Sequence, residues 1–284
     1  MRTRFAPSPT GPLHLGHAYS ALLASDMARK AGGTFLLRIE DIDRSRARPE
    51  WEAQIFDDLH WLGLDWPEPV LRQSDRLPAY RAALETLWAR GLLYPCTCRR
   101  RDILEAASAP QEGTEPPVGP DGIVYPGSCR GKARPTAMPD EPLRLDMHKA
   151  LRETDVVSFR EDGAGPDGET GLQVIHRDQM IDGIGDIVLV RRDMGTSYHL
   201  AVVLDDAAQD ITHVIRGQDL FEATAIHVLL QMLLGLPTPR YHHHRLIRDE
   251  AGKRLAKRDD ARAISKYRAE GDTPADIRAR VGLN

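Results

Sequence analysis

Apolar residues in the first forty positions change their period twice. Residues 3–6 read as a short strand that runs into Pro7-Ser8-Pro9-Thr10-Gly11, and residues 17–30 then carry Ala18, Ala21, Leu22, Ala24 and Met27 at helical spacing. Gly32-Gly33 stops that helix, and residues 34–39 form a second apolar strand that ends at Glu40-Asp41. Strand, helix and strand at this spacing predict a right-handed parallel unit with a ligand at the carboxyl ends of its strands, where Glu40 also lies. Helices are expected over 49–62 and 78–90, with Trp51, Ile55, Leu59 and Trp61 facing inward. Residues 106–122 are rich in Pro, Gly, Ser and Glu and are expected to be a mobile loop. Segments 143–145, 156–160 and 172–176 alternate or branch like strands, around a Gly-rich loop at 163–171, and predict a strand-rich insertion. The core resumes at 187–191 and 198–204, followed by a strand at 211–216 and an apolar helix at 221–234. From residue 261 the chain reads as helical and polar.

Composition narrows the class. With 284 residues the chain exceeds one average domain, which suits a nucleotide-binding core with smaller insertions. Apolar residues make up 41% and charged residues 28%, and no apolar run approaches the ~20 residues of a membrane span. The amino terminus shows no basic-then-apolar leader, so a soluble, cytoplasmic protein is expected. Three cysteines argue against a disulfide framework and leave metal ligation or buried thiols as the two readings. A net charge of −4 argues against nucleic acid as a whole-surface partner, yet cations cluster at Arg99-Arg100-Arg101, at Arg130, Lys132 and Arg134, and through 245–262. These clusters fit either RNA contacts or solvated surface.

Two stretches carry candidate chemistry. His14-Leu15-Gly16-His17 follows a strand and opens a helix, so backbone N–H groups, the positive end of the helix dipole and both imidazoles face one point, where a triphosphate belongs. Gly16 is expected to leave room for a nucleotide against the backbone. A histidine pair alone also fits ordinary surface residues. Lys257, within Arg254-Leu255-Ala256-Lys257-Arg258, follows the loop-like segment 248–252. A flexible ammonium there can follow the negative charge that develops on phosphate when a carboxylate attacks, although a basic run by itself also fits a solvated face.

Together the two stretches resemble the paired HIGH and KMSKS signatures of class I aminoacyl-tRNA synthetases, and Arg4-Phe5-Ala6-Pro7-Ser8-Pro9-Thr10-Gly11 resembles their glutamyl and glutaminyl branch. The likeness extends through Leu37-Arg38-Ile39-Glu40-Asp41-Ile42-Asp43, through residues 198–206, and through Val214-Ile215-Arg216-Gly217-Gln218-Asp219-Leu220. Arg254 and Ala256 depart from the second signature, while Lys257 is kept. The resemblance implies an α/β, Rossmann-like class I catalytic core with an inserted zinc-containing, strand-rich subdomain and a short helical C-terminal region. The expected division is 1–92 and 186–240 for the two halves of the core, 93–185 for the insertion, and 241–284 for the lysine loop and tail. It implies ATP held by His14, Gly16, His17 and Lys257 with Mg2+, with His14, His17 and Lys257 as catalytic residues. It also implies L-glutamate held by Arg4, Phe5, Ala6, Pro7, Ser8, Glu40, Tyr198 and Arg216. Arg216 favours glutamate over glutamine because a guanidinium fork matches a carboxylate.

Fewer than thirty residues follow Lys257, too few for the anticodon-binding region of full glutamyl-tRNA synthetases. The short form resembles the glutamyl-queuosine tRNA(Asp) synthetases, which activate glutamate without tRNA and esterify it to queuosine at the wobble position. That resemblance implies the anticodon stem-loop of queuosine-containing tRNA(Asp) as partner, no membrane, and a monomer. It also implies one structural Zn2+ on Cys96, Cys98, Cys129 and Tyr125. The alternatives are a truncated glutamyl-tRNA synthetase-like enzyme that charges an acceptor end, a small-molecule nucleotidyltransferase, and a non-catalytic RNA-binding paralogue.

Overall fold

A computed structural model describes residues 1–108, 116–152, 154–248 and 262–283. Strand β1 (Arg2–Phe5) buries Thr3, Arg4 and Phe5 and pairs in parallel with β2 (Thr34–Ile39), with Arg4 opposite Leu36 and Phe5 opposite Leu37. The connecting helix α1 (Leu15–Lys30) turns Ala18, Ala21, Ala24 and Ala28 inward, and these small side chains let it lie close to the sheet. The Thr3 hydroxyl donates to the Ala24 carbonyl at 2.9 Å across that contact. The helix begins two residues earlier than its apolar spacing suggests, because His14 serves as its N-cap.

The two-residue strand β3 (Leu71–Arg72) extends this sheet in parallel beyond β2. On the opposite side the Thr212 N–H donates to the Arg2 carbonyl at 3.0 Å, so β1 meets β11 (His213–Gly217). Strand β12 (Arg240–His244) runs parallel to β11, and β8 (Val156–Glu161) parallel to β12 through Glu161 opposite Tyr241. Strand β9 (Gly171–His176) closes this edge as an antiparallel partner of β8. A separate antiparallel sheet holds β4 (Leu93–Pro95), β7 (Leu143–Leu145) and β10 (Val188–Val190), and β5 (Val118–Gly119) with β6 (Gly122–Ile123) forms a small hairpin.

Helices α3 (Leu77–Ala89), α7 (Tyr198–Ala208) and α8 (Thr224–Leu234) share one core with β4, β7 and β8. Helix α2 (Pro49–Trp61) and the two tail helices, α9 (Ile264–Ala269) and α10 (Pro274–Arg280), pack with α1 on a second core. Buried Asp205 ties α7 to the α3 region by accepting from Gln73, Arg76 and the Tyr80 hydroxyl at 2.7–2.9 Å. The remaining helices are α4 (Arg100–Ser108), α5 (Met147–Ala150) and α6 (Arg177–Gly183).

Three expectations need correction. Trp51 and Trp61 are only half-buried, and Ile55 and Leu59 carry the inward face of α2. Helix α8 starts at Thr224 instead of residue 221, because a 3-10 turn over Gln218–Leu220 comes first and its Leu220 carbonyl accepts from Arg216. Part of the expected loop at 106–122 is the β5–β6 hairpin, which approaches so closely that a Cβ on Gly119 would lie 2.1 Å from the Gly183 carbonyl oxygen.

Candidate active site

A cavity of about 370 Å³ opens between the carboxyl ends of β1 and β11. The strand order reverses between these two strands, the position at which open α/β sheets take ligands. Arg4, Phe5 and Ala6 line it from the end of β1, and Ile215, Arg216 and Gly217 from β11. His14, Gly16 and His17 come from the start of α1, Glu40 from the residue after β2, and Tyr198 from the first residue of α7.

One corner suits an anion. The Gly16 N–H donates to His14 Nδ1 at 3.1 Å and the His14 N–H to His17 Nδ1 at 3.2 Å, so the two imidazoles cap the helix reciprocally with ring centres 3.8 Å apart. A nitrogen that accepts carries no proton, which leaves the proton of each neutral ring on Nε2, as a donor. The missing Gly16 side chain serves the His14 ring, since a Cβ there would lie 3.0 Å from His14 Cε1. Leu246 and Ile247 line the same cavity, Ala263 bridges His14, and the Ile264 N–H donates to the Leu13 carbonyl at 2.9 Å. Both flanks of residues 249–261 therefore border the histidine corner. Arg254 to Arg258, with Lys257, lie outside the described residues.

The other corner is built on charge. Asp206 accepts from Arg4 Nε at 2.9 Å and Nη2 at 3.3 Å and from Arg38 Nη1 at 2.7 Å, and Arg38 Nη2 donates to Glu40 Oε1 at 3.2 Å. Burial raises the Asp206 pKa, but Arg4 and Arg38 together outweigh it and hold the carboxyl below its usual range. For Glu40 burial prevails over the same two arginines and pushes the carboxyl up. Burial likewise raises the Tyr198 phenol, which stays protonated at neutral pH.

Arg216 differs from Arg4. Its Nε and Nη1 donate to imidazoles of His243 and His227 at 3.0 and 2.9 Å, and its Nη2 donates to the Leu220 carbonyl at 3.1 Å and the Thr224 hydroxyl at 2.7 Å. Among the described residues no carboxylate pairs with it, although the residue is only 6% exposed. Four of its five N–H donors are thus spent on protein, so among the described residues the group offers its charge and one Nη1 donor instead of a free fork.

A second cluster lies apart. The sulfurs of Cys96, Cys98 and Cys129 fall within 4.8 Å of one another. The Tyr125 hydroxyl sits 3.4 Å from Cys96 Sγ and 3.3 Å from Cys98 Sγ, with Cys98 and Cys129 sulfurs 3.5 Å apart. A tetrahedral metal with bonds of about 2.3 Å to sulfur and about 2.0 Å to oxygen needs sulfur–oxygen edges of about 3.5 Å and sulfur–sulfur edges of about 3.8 Å, so these donors fit one. Burial raises the Cys129 thiol, but hydrogen bonds from the Tyr125 hydroxyl, the Thr97 backbone, Cys98 and Lys132 bring it down to about 6. Arg144 Nε donates to Cys96 Sγ at 3.3 Å, and its guanidinium lies over the Tyr125 ring at 3.9 Å.

Comparison with known proteins agrees with this geometry. The catalytic-domain family of class I tRNA synthetases (E and Q) matches residues 1–283. The chain is 68% identical over 286 residues to the glutamyl-Q tRNA(Asp) synthetase of Rhodobacter capsulatus, covering 100% of both proteins. It belongs to the glutamyl-Q tRNA(Asp) synthetase family. The family member of Symbiobacterium thermophilum is 42% identical, over 96% of this chain and 83% of that protein. Among solved structures, the glutamate tRNA ligase of Elizabethkingia meningosepticum in complex with its amino acid superposes with a TM-score of 0.74 at 28% identity. The match covers 99% of this chain but only 60% of that ligase, so this chain spans less than two thirds of its length. Methionyl-tRNA synthetase of Mycobacterium tuberculosis shares the fold alone, with a TM-score of 0.61 at 12% identity.

Within this glutamyl-Q tRNA(Asp) synthetase fold the cavity gathers Arg4, Phe5, Ala6, His14, Gly16, His17, Glu40, Tyr198 and Arg216. Pro7 and Ser8 are not among its walls. The Pro7 carbonyl instead accepts the Glu40 N–H at 3.0 Å and so positions that carboxylate. Sequence reasoning missed Arg38 and Asp206 as the hub behind Arg4, and missed His199, His227 and His243 behind Arg216. Ser20 and His244 also line the cavity unforeseen, with Ser20 Oγ 2.7 Å from His244 Nε2. A buried histidine at the start of each of two apolar helices was the available signal for His199 and His227. No helix among the described residues is long and apolar enough to cross a membrane.

Proposed function

We propose that the chain activates L-glutamate with ATP in the absence of tRNA and then esterifies it to queuosine at the wobble position of tRNA(Asp), in the cytoplasm and as a monomer. The observation that carries this reading is Arg216, a buried cation that no carboxylate contacts among the described residues, in the same cavity as Glu40. The side-chain carboxylate of glutamate supplies the missing anion, Glu40 receives the substrate ammonium, and the protonated Tyr198 hydroxyl is a further donor. The α-carboxylate then faces the histidine corner.

In the first step a carboxylate oxygen bonds to the α-phosphorus of ATP and the bond to pyrophosphate breaks, giving glutamyl-adenylate. His14 and His17 donate through Nε2 to the phosphates, and Lys257 follows the charge on the departing group. Mg2+ accompanying ATP would supply further charge neutralisation. In the second step a hydroxyl of the modified base attacks the mixed anhydride, AMP departs and the hydroxyl proton passes to solvent. Positioning and charge stabilisation suffice because the anhydride is already activated. Cys96, Cys98, Cys129 and Tyr125 would hold a structural Zn2+ that ties residues 96–98 to 125–129, away from the chemistry.

ATP–pyrophosphate exchange tests the first step. Exchange is expected with glutamate, not with glutamine, without added tRNA, and Arg216→Ala abolishes it. Unchanged exchange in that variant removes Arg216 from the site.

A further inference from the structure

Arg216 is fixed by groups that cannot cancel its charge. A guanidinium only donates, so His227 Nδ1 and His243 Nε2, which receive its N–H groups at 2.9 and 3.0 Å, carry no proton. The proton of each ring must then sit on the nitrogen facing away, and both of those nitrogens have an acceptor. His243 Nδ1 lies 2.6 Å from Glu161 Oε2, and Glu161 is itself pinned by the N–H groups of His243 and Gly163, each at 2.8 Å. His227 Nε2 lies 3.0 Å from His199 Nδ1, and His199 Nε2 points to Asp121 Oδ1 at 3.4 Å. Every tautomer in these two chains follows from the donor at one end and the carboxylate at the other. Burial, then the nearby Arg216 charge, holds the His227 pKa well below its usual value, and burial lowers that of His243 against the pull of Glu161.

The contrast with Arg4 lies within the same cavity. There the guanidinium meets Asp206 directly and its charge is consumed. Around Arg216 the carboxylates stand one ring away, at Glu161, and two rings away, at Asp121, so the imidazoles transmit orientation without placing an anion in contact. We propose that His227 and His243 are specificity-determining positioning residues, neutral acceptors that aim Arg216 while leaving its charge for the side-chain carboxylate of the amino acid. This rests on the reading that glutamate is the substrate.

The test compares His227→Gln with His227→Glu in ATP–pyrophosphate exchange, with glutamate and with glutamine. Both side chains offer an oxygen acceptor to Arg216, and only the second adds an anion. Relative to His227→Gln, the glutamate KM of His227→Glu is expected to rise about 10- to 100-fold, the worth of a charge-assisted contact, with the KM for ATP unmoved. Its preference for glutamate over glutamine falls by a similar factor. Equal glutamate KM and equal preference in the two variants overturn the inference. Thr224, whose hydroxyl accepts from Arg216 at 2.7 Å, provides a second pair. Thr224→Asp against Thr224→Asn reads the same contrast where the first pair fails to fold, as judged by thermal melting. Wild-type protein with no glutamate-dependent exchange counts against the proposed function, whereas wild-type exchange with equal variants counts against the histidine shell alone.

Discussion

Replacing Asp206 by Asn should cost stability and glutamate affinity together. Asp206 is 5% exposed and receives both Arg4 and Arg38, the latter with no exposed surface at all. With Glu40 the cluster holds two cations and two anions, so it is formally neutral. Asn keeps one oxygen acceptor but removes an anion, leaving a net positive charge among buried groups. Breaking a buried pair from one side costs about 3–5 kcal/mol, and the acceptor that Asn retains places the expectation near the lower end. For a chain of this size that corresponds to a fall in Tm of about 6–12 °C. Because the folded state depresses the Asp206 pKa, its contribution is present above the ordinary carboxylate range and is lost as pH falls through the depressed value. Circular-dichroism melts of the two proteins should therefore differ at pH 7.5 and converge in acid. Glu40 would also face two guanidinium groups without Asp206 to share them, so the glutamate KM should rise. A Tm within about a degree of wild type at pH 7.5 would refute the reasoning.

Asp58 on α2 predicts the opposite sign. It is 1% exposed, and burial with Asp57 beside it outweighs Arg268 and a Gln54 hydrogen bond and pushes its pKa to about 6. A raised carboxyl pKa makes stability fall as pH climbs from the usual range through that value, so Asp58→Asn should stabilise by on the order of 2–3 kcal/mol at pH 8 and do little at pH 4. Denaturant unfolding at the two pH values checks this, and equal gains at both contradict it. Gly16→Ala puts a methyl 3.0 Å from the His14 ring and should lower kcat/KM for ATP about 10-fold or more with a small change in Tm. Wild-type ATP kinetics in that variant would show that the ring position is not critical. Chelation should remove one metal per chain and lower Tm, and Co2+ in its place should show thiolate charge-transfer bands from Cys96, Cys98 and Cys129. A metal-free protein with unchanged melting would remove the structural role.

Local signals carried the first half of the fold well. Strand β2 runs over Thr34–Ile39 as its apolar run and flanking Gly32-Gly33 predict, because both boundaries are written in adjacent residues. The start of α1 is legible from the His14 to His17 motif but not from apolar spacing, because an imidazole cap lies outside the usual Ser, Thr, Asp and Asn signals. The order of strands was not legible, since β8 reaches β12 across a separation that no local pattern encodes. The site divides in the same way. His14, Gly16 and His17 form one continuous motif, whereas Arg4 meets Asp206 across 202 positions and Arg38 meets it across 168. Arg216 was identifiable by resemblance to a family motif, but its neutral surroundings depend on His227 and His243 arriving from α8 and β12. That arrangement is tertiary, and it changes the argument from a free guanidinium fork to an uncompensated charge.

The most direct measurement is transfer of labelled glutamate to purified tRNA(Asp) carrying either queuosine or unmodified guanosine at the wobble position. The account predicts glutamate on the queuosine-bearing tRNA alone, after activation that needs only ATP and glutamate. Equal charging of both tRNAs, or none of either in the presence of pyrophosphate exchange, would contradict it.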